Sequence, residues 1–176
     1  YGVSVGYYQP LSVEHCASQI QPNTRLVWVE AAGSVSMEFP DLRALVQLCK
    51  DRGIPSAIDN TWGAGLAFNV FDLDGDGSYR LGVDISAHAL TKYPSGGGDV
   101  LMGAITSRDP AIHRRLQATH MHMGFGVGVN DVETILRSLP SMSLRYYAHD
   151  AAARQLAGFM AEQAAVVQVL HPALAG

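Results

Sequence analysis

Short apolar runs alternate along the chain with segments that are apolar at helical spacing, a pattern typical of parallel α/β proteins. The run RLVWVE at 25–30 has the valine, leucine and tryptophan content of a buried strand. Residues 41–53 predict an amphipathic helix, because Pro40 precedes them and Gly53 ends them. The pattern further predicts strands at 54–60, 82–90 and 99–107, and helices at about 109–121, 130–139 and 147–165. We therefore expect an α/β fold with a mostly parallel sheet flanked by helices.

The last segment of the chain predicts a strand without a partner. VVQVLHPALAG, at 166–176, is apolar and β-branched, and it leads into a turn at Pro172. No later segment is present to pair with this strand, and the first residue is Tyr1 rather than methionine. We therefore expect the chain to be a piece of a larger protein.

The composition predicts one domain whose surface is partly covered. The chain has 176 residues, of which 48% are hydrophobic, and this is enough for one domain with a substantial core. Charged residues make up 16%, whereas about 25% is usual for soluble domains. A partner chain or another part of the same chain would account for this low charge.

Charge and cysteine content exclude several classes of function. The net charge of −4 and the absence of a basic run argue against a nucleic-acid partner. The sequence contains no apolar stretch of about 18 residues or more, so no transmembrane helix and no membrane partner are expected. Two cysteines, Cys16 and Cys49, are too few for a disulfide framework and fit a reducing cytosol. We expect a cytoplasmic protein.

Two polar residues follow the ends of consecutive predicted strands. Asp59 closes the strand at 54–60, and Lys92 lies just beyond the strand at 82–90, in the glycine-rich stretch ALTKYPSGGGDV. The connection between them, about 25 residues, is long enough to return the chain parallel. Ligands bind beyond the carboxyl ends of such strands, so both residues are expected to face one ligand. An Asp-Asn-Thr run is also typical of a turn or a helix N-cap.

An amine and a carboxylate in this arrangement suit pyridoxal phosphate. The amine of Lys92 would form an imine with the cofactor aldehyde, which requires a neutral amine, and weakly charged surroundings disfavour the ammonium form. Asp59 would keep the pyridine nitrogen protonated, so that the ring withdraws electrons from a substrate carbanion. Thr91 offers a hydroxyl to the phosphate, and the glycines at 96–98 allow close backbone approach.

Seven segments in order resemble the Cys/Met-metabolism family of pyridoxal-phosphate enzymes, with the nearest likeness to its cystathionine β-lyase branch. They are YGVSVGYYQP, QPNTRLVWVEAAGSVSMEFPDL, AIDNTW, DISAHALTKY, GGDVLMG, LRSLPSMSLRYYAHD and VLHPAL. The resemblance implies an aspartate-aminotransferase-like (fold type I) large domain, present incompletely. It also implies that Lys92 is the Schiff-base lysine, Asp59 the ring-nitrogen partner and Thr91 a phosphate ligand, with Ser34 near the ring.

The resemblance further implies a reaction and an assembly. It predicts β-elimination of cystathionine, a small sulfur amino acid, to homocysteine, pyruvate and ammonia, in a homo-oligomer built as a dimer of dimers. Residues 1–165 would belong to the large domain, and 166–176 would begin the C-terminal small domain. Trp62 and Ala89 favour the β-branch, while a γ-lyase, a γ-synthase or a sulfhydrylase of the same family is the alternative. Because the family's other catalytic parts are absent, an inactive structural piece is a third possibility.

Two further patterns suggest metal sites, and both have simpler explanations. Asp72, Asp74 and Asp76 match the first half of a calcium loop, but Val83 occupies the position that needs a glutamate. An acidic surface loop is therefore favoured. His113 and the pair at 120 and 122 have no carboxylate or thiolate partner nearby in sequence, which favours amphipathic helix residues over a metal centre.

Overall fold

The computed structural model describes residues 2–174 and contains an α/β arrangement over that range. Its elements, in chain order, are α1 (Val13–Gln19), β1 (Val27–Glu30), α2 (Leu42–Asp51), β2 (Ser56–Asp59), β3 (Ile85–Ala89), β4 (Gly103–Thr106), α3 (Pro110–Met123) and α4 (Val129–Ala161). All four predicted strands from 25–30 to 99–107 are confirmed, each shorter than its sequence segment.

The sheet has the strand order β1-β2-β3-β4 and is mostly parallel, as predicted. β2 pairs in parallel with β1 on one side and with β3 on the other. β4 runs antiparallel to β3. The connection at 90–102 contains no helix, and a connection without a crossover helix seldom brings the chain back parallel. The direction of β4 therefore follows from the short glycine-rich loop before it.

The core lies on the face of the sheet covered by α2. Leu45, Val46 and Cys49 of α2 form one buried cluster with Val29 of β1 and Ile58 of β2. Full burial of a leucine, isoleucine or valine side chain stabilises the fold by about 1.5–3 kcal/mol. α1 packs against α2, and its own cysteine, like the one on α2, is buried as a free thiol.

Local signals explain where α2 begins and ends. The side chain of Asp41 accepts a hydrogen bond from Ala44 N (2.9 Å), which satisfies an otherwise unpaired amide of the first turn. Gly53 follows the helix with a φ of 63°, a left-handed conformation that glycine adopts without a Cβ penalty. The helix predicted at 41–53 is thus confirmed.

The two helices predicted at 130–139 and 147–165 are wrong as separate elements, because α4 is continuous. Pro140 lies inside it, where a proline removes one hydrogen bond without necessarily ending the helix. Arg145 Nη2 donates to the hydroxyl of Ser138 (2.8 Å), and Ser141 Oγ donates to Ser138 O (3.0 Å). These side chains join the turns on the two sides of the proline.

The strand predicted at 166–176 is also wrong over the residues described. Residues 162–174 contain no strand or helix, because an apolar run forms a strand only where a neighbour supplies its hydrogen bonds. Residues 175 and 176 of that prediction lie outside the described residues, as does Tyr1. The sequence pattern missed α1, a short helix whose N-cap Ser12 accepts a hydrogen bond from His15 N (3.1 Å).

α3 and α4 bury few side chains in the described chain. α3 has no buried residue, and α4 buries only Ile135 and Ala157. Exposed apolar side chains on α4 include Leu136, Leu144, Tyr147, Leu156 and Phe159. These exposed apolar side chains agree with the low charge content of the chain. Of the helices within residues 2–174, none combines the length and the apolar character needed to cross a membrane.

Replacing Leu45 tests the core. We expect Leu45→Ala to lower the free energy of unfolding by about 2–5 kcal/mol, because the side chain is fully buried (0% exposed) and leaves a cavity. Urea denaturation measures this change. Gln47→Ala, on the exposed face of the same helix, is the control and should change it by less than about 0.5 kcal/mol. Equal effects of the two substitutions would contradict this core.

Candidate active site

Three strand ends bring the predicted site residues to one edge of the sheet. β2 ends at Asp59, and β3, its parallel neighbour, ends at Ala89, three residues before Lys92. β1 ends at Glu30, which is the register partner of Asp59. Since parallel strands have their carboxyl ends at the same edge, the expected juxtaposition of Asp59 with the Lys92 loop is confirmed at the level of strand topology.

One of the two carboxylate oxygens of Asp59 accepts hydrogen bonds from the protein. Its Oδ1 accepts hydrogen bonds from Thr61 N (2.9 Å) and from Thr61 Oγ1 (2.5 Å), the geometry of an aspartate-led turn. Within residues 2–174 its Oδ2 accepts none. The turn-forming role and a ligand-binding role are therefore compatible, because they use different oxygens.

The hydroxyl of Thr61 also connects the two strand ends. Its Oγ1 accepts a hydrogen bond from Ala89 N (2.8 Å), the last residue of β3. Thr61 was not among the site residues predicted from the sequence, although it lies in the same AIDNTW segment as Asp59. The signal available was a hydroxyl two residues after an aspartate, which is typical of such turns.

The loop that carries Lys92 is held by buried hydrogen bonds. Ser95 Oγ donates to Thr91 O (2.8 Å) and accepts from Gly98 N (3.1 Å), while Ser95 N donates to Leu90 O (2.9 Å). Ser95 is buried. One serine thus closes the turn on both sides of the lysine.

Gly96 lets this loop lie directly on α4. Its φ is 75°, and a Cβ there would come within 2.8 Å of Arg145 Cζ and of Ser138 Oγ. Both the left-handed backbone and the close approach therefore require glycine. Arg145 donates its hydrogen bonds to Ser138 and Ser141, which is a structural role.

The side chain of Lys92 is exposed and extends over Trp62. Its Nζ lies 5.6 Å from the centroid of the indole ring, a cation–π arrangement worth about 0.5–1 kcal/mol at an exposed site. Within the described part of the chain, Lys92 forms no ion pair. The side chain is exposed, so these residues do not shield the amine from water.

The two other predicted site residues lie at the same edge. Ser34 follows β1, and both its N (3.1 Å) and its Oγ (2.7 Å) donate to Glu30 Oε1. Thr91 follows β3 and is half-buried, and its hydroxyl has no hydrogen-bond partner among residues 2–174. Thr91 is thus the freer of the two hydroxyls.

A cavity of about 620 Å³ opens beside Trp62 and has an aromatic wall. The ring of Tyr93, next to Lys92, packs against Tyr146 (4.9 Å between centroids) and His149 (5.7 Å). Burial raises the pKa of Tyr146 above its ordinary value, with smaller contributions from Tyr93, Asp150 and Tyr147. Trp62 and Tyr93 line this cavity, whereas Asp59, Thr91 and Lys92 do not.

His88 and Asn60 form a second polar group that sequence reasoning missed. Asn60 is fully buried (0% exposed), and its amide atoms have no partner among the described residues. Ser86 Oγ lies 3.0 Å from His88 Nε2. Burial lowers the pKa of His88 below its ordinary 6.5, and the negative charge of Asp59 partly opposes this shift.

The acidic loop at 72–83 uses its carboxylates within the protein. Asp72 Oδ2 accepts from Gly77 N (2.9 Å), and Asp74 pairs with Arg43 at 2.5 Å. Across residues 2–174, no three histidine, cysteine, aspartate or glutamate side chains come together as a metal site. The observed contacts of Asp72 and Asp74 are therefore with other groups of the protein.

Comparison with known proteins gives a consistent result. The family described as Cys/Met metabolism PLP-dependent enzymes matches residues 1–176. Cystathionine β-lyase of Bordetella avium is 34% identical over 89% of this chain and 38% of its own length, and that of Haemophilus influenzae is 32% identical over 98% and 42%. The chain therefore spans about two fifths of the length of these curated relatives.

A solved structure has the same fold. The chain superimposes on cystathionine γ-lyase from Lactobacillus plantarum, crystallised with L-serine, with a TM-score of 0.83 and 22% identity, over 93% of this chain and 41% of the other. The expected α/β fold of type I, present in part, is thereby confirmed. The expected family is confirmed by the family match.

The residues at the sheet edge fit the cofactor of that family. Among residues 2–174, one carboxylate oxygen of Asp59 is free to accept from a ring nitrogen, the amine of Lys92 forms no ion pair, and the hydroxyl of Thr91 can donate to a phosphate. Gly96 and Gly98, both at positive φ, let the loop turn tightly beside Lys92. The donor set is complementary to pyridoxal phosphate.

We expect His88 to make stability fall below neutral pH. Its pKa is lowered in the folded state, so the unfolded state binds the proton first, and unfolding becomes easier as the pH falls below about 6.5. Above that pH both states are neutral at this residue and the effect disappears. Unfolding free energies measured from pH 7 to pH 5 should show a shallower decline in His88→Gln than in the unaltered protein.

A matched control separates His88 from histidines in general. His113→Gln removes an exposed histidine of α3 and should leave the pH dependence unchanged. The same slope in all three proteins would contradict the assignment to His88.

Proposed function

The chain belongs to the Cys/Met-metabolism family of pyridoxal-phosphate-dependent enzymes, and from this premise we propose that it forms part of a carbon–sulfur β-lyase. The proposed reaction converts cystathionine to homocysteine, pyruvate and ammonia. Two relatives at 34% and 32% identity carry the name cystathionine β-lyase. This similarity supports the β-branch of the family.

One observation carries the proposal: Asp59 and the Lys92 loop follow adjacent parallel strands. Asp59 pairs with Ala87 in the register of β2 and β3. Both strands therefore end at the same edge of the sheet, where α/β proteins bind their ligands. Asp59 has one carboxylate oxygen, and Lys92 an amine, without a partner in the described part of the chain, and a carboxylate and an amine are the groups that this cofactor requires from the protein.

When bound, pyridoxal phosphate supplies an electron sink that stabilises negative charge on the substrate Cα. Lys92 would attach it, and Asp59 would accept a hydrogen bond from its ring nitrogen through Oδ2. Thr91 would bind its phosphate, and Ser34 would lie near the ring while Glu30 fixes its hydroxyl. These assignments use side chains that already lie at one sheet edge.

The proton transfers in the proposed reaction belong to Lys92. Its Nζ would take the proton from Cα of the amino acid and deliver a proton to the departing sulfur. The Cβ–S bond breaks with its electron pair on sulfur, so the thiol leaves as homocysteine. Water then releases the remaining three-carbon fragment as pyruvate and ammonia. The indole ring of Trp62, whose centroid lies 5.6 Å from Nζ, would limit the positions that the amine can take.

The proposal extends to the organisation of the whole protein. Residues 1–165 would be part of the cofactor-binding large domain, and 166–176 would begin the small domain. The exposed apolar side chains of α4 support a homo-oligomer, proposed as a dimer of dimers. Two buried free thiols support a cytoplasmic location.

The alternative reaction is γ-chemistry in the same family, by a γ-lyase, a γ-synthase or a sulfhydrylase. The solved neighbour crystallised with L-serine is named a γ-lyase, but at 22% identity that likeness concerns the fold. A catalytically inactive piece is the other alternative. Adding pyridoxal phosphate to the isolated chain and scanning for an imine absorbance band tests whether it binds the cofactor.

Replacing the lysine tests its role directly, and the chain offers a matched control. Its two lysines are Lys50 and Lys92. We expect Lys92→Ala in the full-length protein to lower kcat by about 10³-fold or more and to abolish the borohydride-reducible yellow colour. Lys50→Ala, on the exposed surface of α2, should leave both unchanged. A Lys92→Ala protein that is still yellow and reducible by borohydride would contradict the assignment of Lys92 as the cofactor-binding lysine.

The products formed from cystathionine distinguish the two reactions. We expect the full-length enzyme to release pyruvate, because elimination at Cβ leaves a three-carbon keto acid. Chromatography of the keto acids measures this outcome, with enzyme lacking substrate as the blank. Release of 2-oxobutyrate in place of pyruvate would identify γ-elimination and overturn the β-lyase proposal.

A further inference from the structure

We propose that Thr61 is a positioning residue that holds the Asp59 carboxylate in register with the strand leading to Lys92. The inference rests on the proposed function, in which Asp59 contacts the cofactor ring. Thr61 would not touch the cofactor itself. It would act through Asp59 and through the end of β3.

The geometry places one hydroxyl between two strands. Thr61 Oγ1 donates to Asp59 Oδ1 (2.5 Å) at the end of β2 and accepts from Ala89 N (2.8 Å) at the end of β3. A hydroxyl has one proton and two lone pairs, so it makes both bonds at once. Thr61 is 8% exposed, and water therefore competes weakly for either bond.

The two bonds to Oδ1 leave the other carboxylate oxygen free. Thr61 N and Oγ1 both donate to Oδ1, and this fixes the rotation of the carboxylate group. Oδ2 is then presented in one direction rather than several. A fixed acceptor loses less entropy on binding a ligand than a rotating one does.

A second carboxylate, on Glu30, lies next to Asp59 in the sheet and favours a fixed orientation of the Asp59 side chain. Glu30 is the register partner of Asp59 on the neighbouring strand, and carboxylates on adjacent strands repel each other when both are charged. Ser34 holds the Glu30 carboxylate with two hydrogen bonds, and Thr61 holds Asp59 in the same way. Without Thr61, Asp59 would be free to turn away from Glu30.

The bond to Ala89 relates the carboxylate to the lysine. Ala89 is the last residue of β3, three positions before Lys92, and Lys92 N itself donates to Ala89 O at 3.5 Å. Thr61 thus joins the residue that would contact one end of the cofactor to the strand whose extension would bind the other. The hydrogen bond between Thr61 Oγ1 and Ala89 N is not part of the backbone ladder between β2 and β3.

Substitutions at Thr61 test the inference through cofactor affinity. Thr61→Val keeps the shape and removes the hydroxyl, while Thr61→Ser keeps the hydroxyl. In the full-length apoenzyme titrated with pyridoxal phosphate, we expect Val to raise the Kd by about tenfold and Ser by less than about threefold. Circular dichroism checks that each variant is folded, and Thr61→Cys, a weaker donor, replaces Val if Val is not.

The same pair of variants in an Asp59→Ala background separates positioning from a merely structural role. With no carboxylate to hold, Thr61→Val should change the Kd by less than about twofold. An equal loss in both backgrounds, or a loss with Ser as large as with Val, would overturn the inference while leaving the proposed function intact. An unchanged Kd in Asp59→Ala alone would overturn both, because Asp59 would then have no contact with the cofactor.

Discussion

The parallel pairing of β2 with β3 is the constraint on which the site depends. Its hydrogen bonds fix Asp59 opposite Ala87, and a parallel pair sends both chains out of the sheet at the same edge. A slip of one residue would turn Asp59 toward the face covered by α2. The buried Ile58, which packs in the cluster under α2, resists that slip. Core packing therefore sets the orientation of the site residue next to it.

Hydroxyl groups then organise the loops that continue from the strands. Thr61 bridges two strand ends, Ser95 closes the lysine loop and Ser34 binds Glu30. Strand ends leave backbone and carboxylate groups without ladder partners, and unpaired polar groups near a core are costly. Short hydroxyl side chains satisfy them locally. The loops gain defined shapes while a few groups, such as Asp59 Oδ2, remain available to a ligand.

Burial is distributed unevenly across the chain. The sheet and α2 form a dense cluster, whereas α3 and α4 expose many apolar side chains. α4 nevertheless contributes to the site, because Arg145 packs against Gly96 and the ring of Tyr146 against Tyr93. Its position therefore affects the lysine loop. This arrangement agrees with a chain that spans about two fifths of its relatives.

The sequence by itself determined the alternation of strands and helices, the limits of α2 and the placement of Asp59 and Lys92 after consecutive strands. These features depend on local periodicity, capping residues and glycine, which act within a few positions. Only the tertiary structure decided that α4 continues through Pro140 and that 166–174 forms no strand. Likewise, the bridging role of Thr61 depends on Ala89, 28 residues away. Such contacts join segments that are distant in sequence, and no local pattern specifies which partner will be present.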